Sequence, residues 1–266
     1  MLHPIRTLCL IAAACVAPSP RVTHAQGFAA LVSPPRFEIS LKPGETSRQV
    51  IEINNANSSS ATYRMRTVDW TFDANATVTM EDALKPGSCR PWVAIERREI
   101  TVPAGGKYRY RFEVTPPADA TGECRFAVVV EGAEENVNAG GNVQIPINAR
   151  IGVIVYATLA GAEPKLEIVG AGVANVNGQR MPVLKIRNVG SAHGRLAGFL
   201  SGTDATGNKI DFTPAGLPIL PGETRTIALG VSSDSNQAAK ITYPITIRGN
   251  LEWGDKSTPL DQRFAP

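Results

Sequence analysis

Hydrophobic and polar residues alternate with a period of two along most of the chain. The clearest stretch is Lys107–Val114, where two tyrosines, a phenylalanine and a valine take every second position and charged residues take the others. Successive side chains of a β-strand point to opposite faces, whereas a helix would scatter both sets around its axis. The pattern therefore predicts a half-buried strand here, and helical periodicity is hard to find elsewhere.

Turn sequences divide the chain into many short predicted strands. A Pro-Gly pair occurs at residues 43–44 and again at residues 221–222, and an alternating strand follows each pair. About seven short strands fit into each half of the chain, which is the number typical of an immunoglobulin-like sandwich. The pattern predicts an all-β protein of two tandem immunoglobulin-like sandwiches, residues 26–160 and residues 161–266.

The first 25 residues resemble a cleavable secretory signal peptide. Arg6 supplies a positive charge, residues 8–16 form a short apolar run, and residues 23–25 offer a small-x-small cleavage site. The apolar run is too short to span a bilayer, and no later stretch approaches about 20 apolar residues. We therefore expect an exported chain without a transmembrane segment. A minor alternative is lipoprotein anchoring at Cys15, which follows Ala13 and Ala14.

Cysteine usage points to one structural disulfide. Two of the four cysteines, Cys9 and Cys15, lie in the signal segment, so that Cys89 and Cys124 remain in the exported chain. An even number of cysteines in an oxidising compartment favours pairing. The alternative of a redox-active pair lacks the C-x-x-C spacing that such sites use.

Charge and residue content argue against nucleic-acid binding and catalysis. Residues 26–266 carry 25 basic and 24 acidic residues, and this near-neutral balance gives no electrostatic reason to expect a nucleic-acid partner. Their one histidine, His193, lies in a glycine-rich, loop-like segment, where we expect a surface position. A catalytic triad or a zinc site based on histidine would depend on this residue alone. We therefore expect a binding protein with no cofactor and no metal, rather than an enzyme.

Residues 30–158 contain several short motifs in a recognisable order. They are the extended segment Leu31–Arg36, the turn Lys42–Glu45, the strand end Ile53–Asn55, the turn Val102–Gly105, the segment Gly122–Phe126 and the last strand Val143–Tyr156. In this order they resemble the periplasmic chaperones of the chaperone–usher pilus pathway, a family built from two immunoglobulin-like domains. The resemblance implies a periplasmic chaperone whose partner is a pilus or fimbrial subunit, with an outer-membrane usher as a further candidate partner.

The resemblance also implies a binding strand. In that family the last strand of the first domain lends alternating apolar side chains to an incomplete subunit, which it completes by β-strand addition. Val143, Ile145 and Ile147 take alternate positions in this chain and are the predicted donor-strand residues. An exposed edge strand is a template for such pairing. The alternative is that these three side chains fill the core of their own domain.

The chain departs from the family at the site that binds the carboxyl terminus of the subunit. The family uses an arginine on the first strand and a lysine on the last strand. Arg36 lies near the first of these positions, but Gly152 takes the place of the lysine. Arg150, two residues earlier and on the same strand face, is our candidate for the missing cation. Pro146 also removes a backbone donor from the predicted donor strand. These departures favour a second interpretation, a non-catalytic structural or adhesive envelope protein with no assembly role.

Overall fold

The computed structural model describes residues 28–133, 135–138, 144–232 and 241–266. The predicted signal peptide, the candidate lipid-anchoring Cys15 and the predicted donor residue Val143 lie outside these residues. Within them the chain forms nineteen strands and one short 3-10 turn, Arg90–Trp92. The all-β prediction is confirmed.

The first half of the chain forms two facing sheets and a separate hairpin. Its strands are β1 (Ala30–Ser33), β2 (Arg36–Leu41), β3 (Ser47–Asn55), β4 (Ala61–Phe72), β5 (Val78–Glu81), β6 (Val93–Ile95), β7 (Glu99–Val102), β8 (Lys107–Val114), β9 (Glu123–Glu131), β10 (Glu135–Asn138), β11 (Gln144–Ile147) and β12 (Arg150–Leu159). One sheet has the order β1-β3-β8-β6, and the other has the order β2-β12-β9-β4-β5 with β7 also paired to β4. Strands β10 and β11 form a two-stranded sheet of their own.

Alternating side chains of the two sheets build the first core. In β8, Tyr110, Phe112 and Val114 are buried while the charged residues between them face outward, as the period of two predicts. Phe112 meets Phe126 of β9 edge to face, with 6.2 Å between the ring centroids. The disulfide Cys89–Cys124, also predicted from the sequence, joins the loop before β6 to the beginning of β9.

The second half forms the second sandwich. Its strands are β13 (Leu166–Val176), β14 (Gln179–Asn188), β15 (Leu200–Thr203), β16 (Lys209–Pro214), β17 (Thr224–Val231), β18 (Ile245–Trp253) and β19 (Lys256–Phe264). They follow the order β13-β14-β17-β16-β15-β18-β19 and enclose a core that is separate from the first. Two sandwiches in tandem are therefore present, while the boundary between residues 160 and 161 stays a prediction.

A smaller apolar cluster covers the outer face of the β2-β12-β9-β4 sheet. It contains Val68, Trp70, Ala127, Val129 and Tyr156. Met80 of β5 packs on it from the same half of the chain, and Leu220 packs on it from the second sandwich. This outer face is therefore the surface on which the two sandwiches meet.

Candidate functional site

The predicted donor strand lies in a hairpin that extends the β9–β12 ladder. Ile145 and Ile147 belong to β11, which pairs antiparallel with β10 so that Ile147 stands opposite Glu135. The ladder of β9 and β12 ends with Arg150 opposite Glu131, and a backbone hydrogen bond from Gly132 to Ala149 links it to the hairpin. Among the described residues no third strand pairs with β10 or β11.

Ile145 is exposed rather than sealed in a core, with 47% of its surface accessible. An exposed large apolar side chain on an edge strand promotes aggregation unless another chain covers it. Pro146 stands opposite Asn136 in the hairpin and has no N–H to donate. Ile145 is thus not sealed in the core of its own domain, and its role as a donor-strand residue stays a prediction.

The uncovered edge continues from β11 into the first residues of β12. Strand β2 runs parallel to β12 but reaches only from Arg36, opposite Ile154, to Leu41. Pro34 and Pro35 precede β2, and β1 before them pairs with β3 in the other sheet. Proline cannot donate to a ladder, so the two prolines mark the place where the chain crosses from one sheet to the other. Residues 144–153 are thus left without a strand on this side, within the described part of the chain.

The orientation of the backbone in β12 identifies the exposed donors. The N–H of Ile154 donates to Pro35 on the side of β2, and the carbonyl of Ala149 accepts on the side of β9. Backbone groups of successive residues point to opposite edges of a strand, so those of every second residue point to the same edge. The N–H groups of Arg150 and Gly152 therefore point to the same, uncovered edge as that of Ile154.

The two arginines predicted to bind a carboxylate lie on one face but not side by side. Arg36 stands beside Ile154, four residues along β12 from Arg150, which corresponds to about 13 Å along the strand. Arg36 forms an ion pair with Glu38 at 2.8 Å, and both side chains are about half exposed. Arg150 is exposed and stands opposite Glu131, whose carboxylate accepts a hydrogen bond of 2.9 Å from Arg66. This hydrogen bond holds the pKa of Glu131 below its ordinary value.

Gly152 lies between these arginines and is covered. A Cβ atom placed on Gly152 would overlap the terminal methyl group of Met80, which belongs to the β4–β5 hairpin. The absence of a side chain therefore lets Met80 lie flat on the sheet. The sequence alone did not reveal this apolar contact, because the two residues are 72 positions apart.

The prediction that His193 is a surface residue is wrong. Its side chain is only 8% exposed and stacks on Tyr156 of the first sandwich, with 3.8 Å between the ring centroids. Its Nδ1 atom lies 2.5 Å from Glu123 Oε2, and its backbone N–H donates to the same oxygen at 3.1 Å. His193 is thus a contact residue between the two sandwiches, which a reading of local sequence could not show.

Charged residues that the sequence did not single out complete this contact. Arg195 donates to the Tyr156 hydroxyl at 3.3 Å and lies 3.5 Å from Glu38. Burial raises the pKa of Tyr156. Nearby, the buried Arg225 donates to the carbonyl of Asp73 at 2.8 Å, with its guanidinium above the Phe72 ring. The two sandwiches therefore meet through a polar, densely bonded surface beside the apolar cluster.

Within the described ranges, no group of three histidine, cysteine or acidic side chains is placed to hold a metal ion. The same part of the chain contains no helix long and apolar enough to cross a membrane.

Comparison with known proteins gives no match to a family model and none to a curated protein sequence. Solved structures do match. A chaperone–tip adhesin complex of CFA/I fimbriae biogenesis gives a TM-score of 0.49 at 13% identity, over 90% of this chain and 100% of that chain. The CsuC–CsuE chaperone–tip adhesion subunit complex of Acinetobacter baumannii gives 0.46 at 16%, over 90% and 100%. The SafB chaperone complex with the SafA pilin of Salmonella enterica gives 0.46 at 14%, over 90% and 98%.

The similarity of this chain to these fimbrial chaperones is one of fold.

Proposed function

We propose that this protein is a non-catalytic periplasmic chaperone that caps a secreted, β-rich pilus or fimbrial subunit by β-strand addition. The guest strand pairs with the uncovered edge formed by β11 and the first residues of β12. The observation that carries the proposal is the combination of this edge, unpaired over residues 144–153 among the described residues, with the exposed side chain of Ile145.

Backbone pairing supplies affinity at such an edge, and side chains on alternate positions supply specificity. The N–H groups of Arg150 and Gly152 offer two donors in register with the ladder of β9 and β12. Complete burial of Ile145, which is already about half buried, contributes about 1 kcal/mol before the cost of ordering. The sequence positions of Val143 and Ile147 extend the same alternation and would add comparable contributions.

Arg150 is the better placed of the two candidate carboxylate ligands. It is exposed, makes no ion pair within the described part of the chain, and begins β12 directly after the hairpin. Arg36 would first have to exchange its ion pair with Glu38 for one with the guest. The contact of Met80 with Gly152 excludes a third cation between them.

The same contact favours the second candidate function, a structural or adhesive envelope protein without an assembly role. Such a protein would need no carboxylate site, and a glycine covered by methionine would be an ordinary packing contact. The two candidates differ in whether the uncovered edge holds a second polypeptide.

The test is capture of the guest in the native periplasm. The tagged chain is purified from its own host, and copurified proteins are identified by mass spectrometry for the unmodified chain and for Ile145→Asp combined with Ile147→Asp. A charged side chain cannot be buried cheaply in the guest, so we expect recovery of the guest to fall at least about tenfold.

Ile168→Asp is the matched control, because Ile168 is 41% exposed on β13, an edge strand of the second sandwich. This variant should capture the guest as well as the unmodified chain does. Undiminished capture by a folded double variant would exclude the β-strand addition mechanism. Absence of any stoichiometric guest from the unmodified chain would favour the structural or adhesive role.

A further inference from the structure

Two short segments of the chain have the pattern Asn-x-Ser or Asn-x-Thr, with x other than proline, which is the acceptor pattern for N-linked glycans on exported proteins. One is at residues 57–59, in the loop after β3, and the other is at residues 75–77, in the loop between β4 and β5. A pattern this short also arises by chance, so the folded surroundings of each asparagine decide whether it is an acceptor.

Asn75 lies in the loop of the β4–β5 hairpin and is open to solvent. Asn75 and Thr77 are both exposed. The side-chain amide of Asn75 and the hydroxyl of Thr77 have no hydrogen-bond partner in the part of the chain that the structure describes. An enzyme that acts on the folded chain has to reach both groups, the amide as the nucleophile and the hydroxyl as part of the recognised pattern. Both groups are available, because the fold uses neither of them.

The loop is held in place by Asp73 rather than by the side chains of the acceptor segment. One carboxylate oxygen of Asp73, Oδ1, accepts from the backbone N–H of Asn75 at 2.9 Å and from that of Thr77 at 2.8 Å. The backbone carbonyl of Asp73 accepts from Arg225 of the second sandwich at 2.8 Å. These bonds fix the base of the loop, so a modification of the Asn75 side chain would break none of them.

Asp73 also offers a negative charge beside the acceptor. The residue is exposed, and its second carboxylate oxygen, Oδ2, has no hydrogen-bond partner among the described residues. A basic group of a transferase can therefore form a charge-assisted hydrogen bond with it, two positions before Asn75. The corresponding position before Asn57 holds Asn55, which is uncharged and buried.

The surroundings of Asn57 are different. Asn57 is only partly exposed, its backbone N–H donates to the Asn55 side chain at 3.0 Å, and its carbonyl accepts from Gly105 at 3.2 Å. The Asn55 side chain also donates to the carbonyl of Ser59 at 2.7 Å. Drawing residues 57–59 into an enzyme would leave polar groups of the buried Asn55 unpaired, which is costly. The structure therefore favours Asn75 over Asn57 as an acceptor.

We propose that Asn75 carries an N-linked glycan, transferred from a lipid-linked sugar diphosphate. The Nδ2 atom of Asn75 forms a bond to the anomeric carbon of the sugar, while the bond between that carbon and the diphosphate oxygen breaks. The diphosphate leaves with the bonding electron pair, and the amide nitrogen gives up one proton. The transfer therefore needs no oxidant or reductant. The proposal depends on export of the chain and not on the capping of a guest.

The test is the intact mass of the full chain, expressed with its signal segment in its own host and purified from the periplasmic fraction. We expect a population heavier than the processed polypeptide by the mass of a glycan, and fragmentation that places the added mass on Asn75. Asn75→Gln and Thr77→Ala should each abolish the added mass, whereas Thr77→Ser, which keeps the hydroxyl, should retain it. Asp73→Asn keeps an oxygen that can hold the loop and removes the charge, so it should lower the glycosylated fraction.

Asn57→Gln is the matched control and should leave the added mass unchanged. A chain whose mass equals that of the bare polypeptide would overturn the proposal, and so would added mass that persists in Asn75→Gln. Because the mass is measured without any guest, either failure would leave the proposed capping function standing.

Discussion

The two ends of the β9–β12 ladder differ in what satisfies their polar and apolar groups. At the contact end, Glu123 and Tyr156 bond and stack with His193 of the second sandwich, and the disulfide fixes Cys124. At the hairpin end, the ladder runs on into a two-stranded sheet, and Ile145 is exposed. The pair β9–β12 is therefore bonded to the second sandwich at one end and continues into an uncovered hairpin at the other.

Under the proposed function, this difference lets the protein keep one strand edge open for a guest chain without losing its fold. An edge that must accept another chain cannot also be covered by its own, so the stability has to come from elsewhere in the sheet. Here it comes from the buried contact end and the two cores. The exposed residues at the hairpin end are then free to serve binding, and changes there should cost little stability.

The largest loss of stability should follow from removing the disulfide at the contact end. Cys89→Ala with Cys124→Ala removes a cross-link between residues 35 positions apart, which is expected to lower the free energy of unfolding by about 3–4 kcal/mol. Urea unfolding followed by circular dichroism measures this loss. A loss below about 1 kcal/mol would mean that the contact end does not depend on the disulfide.

A smaller effect should follow from placing a lysine at Gly152, the third residue of β12. Its side chain must displace Met80, and such overpacking is expected to cost about 1–3 kcal/mol of stability. Combining Gly152→Lys with Met80→Ala makes room for the lysine, so a double-mutant cycle in urea should show that the two changes compensate each other. Simple additivity would contradict the observed packing.

The smallest effect concerns acid sensitivity at the hairpin end. The hydrogen bond from Arg66 lowers the pKa of Glu131, so this carboxylate stabilises the folded state above its ordinary pKa of 4.5. That contribution should be lost as the pH falls from 4.5 through the lowered value. The contribution of Glu131 to the free energy of unfolding should be up to about 1 kcal/mol, as for a partly exposed ion pair. Glu131→Gln should remove this part of the pH dependence of the urea midpoint, whereas an unchanged profile would contradict it.

Local patterns predicted the parts of this molecule that depend on neighbouring residues in the chain. The alternation in Lys107–Val114 identified β8 with its buried face, and the cysteine count identified the disulfide. The position of His193 was predicted wrongly, because its burial depends on Tyr156 and Glu123 in the other sandwich. No local signal encodes a contact across two domains.

Local sequence patterns predicted only part of the candidate edge. The alternation at Ile145 and Ile147 indicated a strand with an apolar face, but whether that strand is covered depends on where β2 begins to pair with β12. The contact of Met80 with Gly152 likewise joins residues far apart in the chain. The sequence showed a glycine at position 152, and only the fold showed that Met80 packs on it.

Hydrogen exchange along β12 is the most direct test of the uncovered edge. The backbone N–H groups of Arg150 and Gly152 should exchange rapidly in the isolated chain, while that of Ile154, which donates to Pro35, should exchange slowly. In the complex with the copurified guest, Arg150 and Gly152 should become as protected as Ile154. Slow exchange at all three positions in the isolated chain, or no added protection in the complex, would contradict the account.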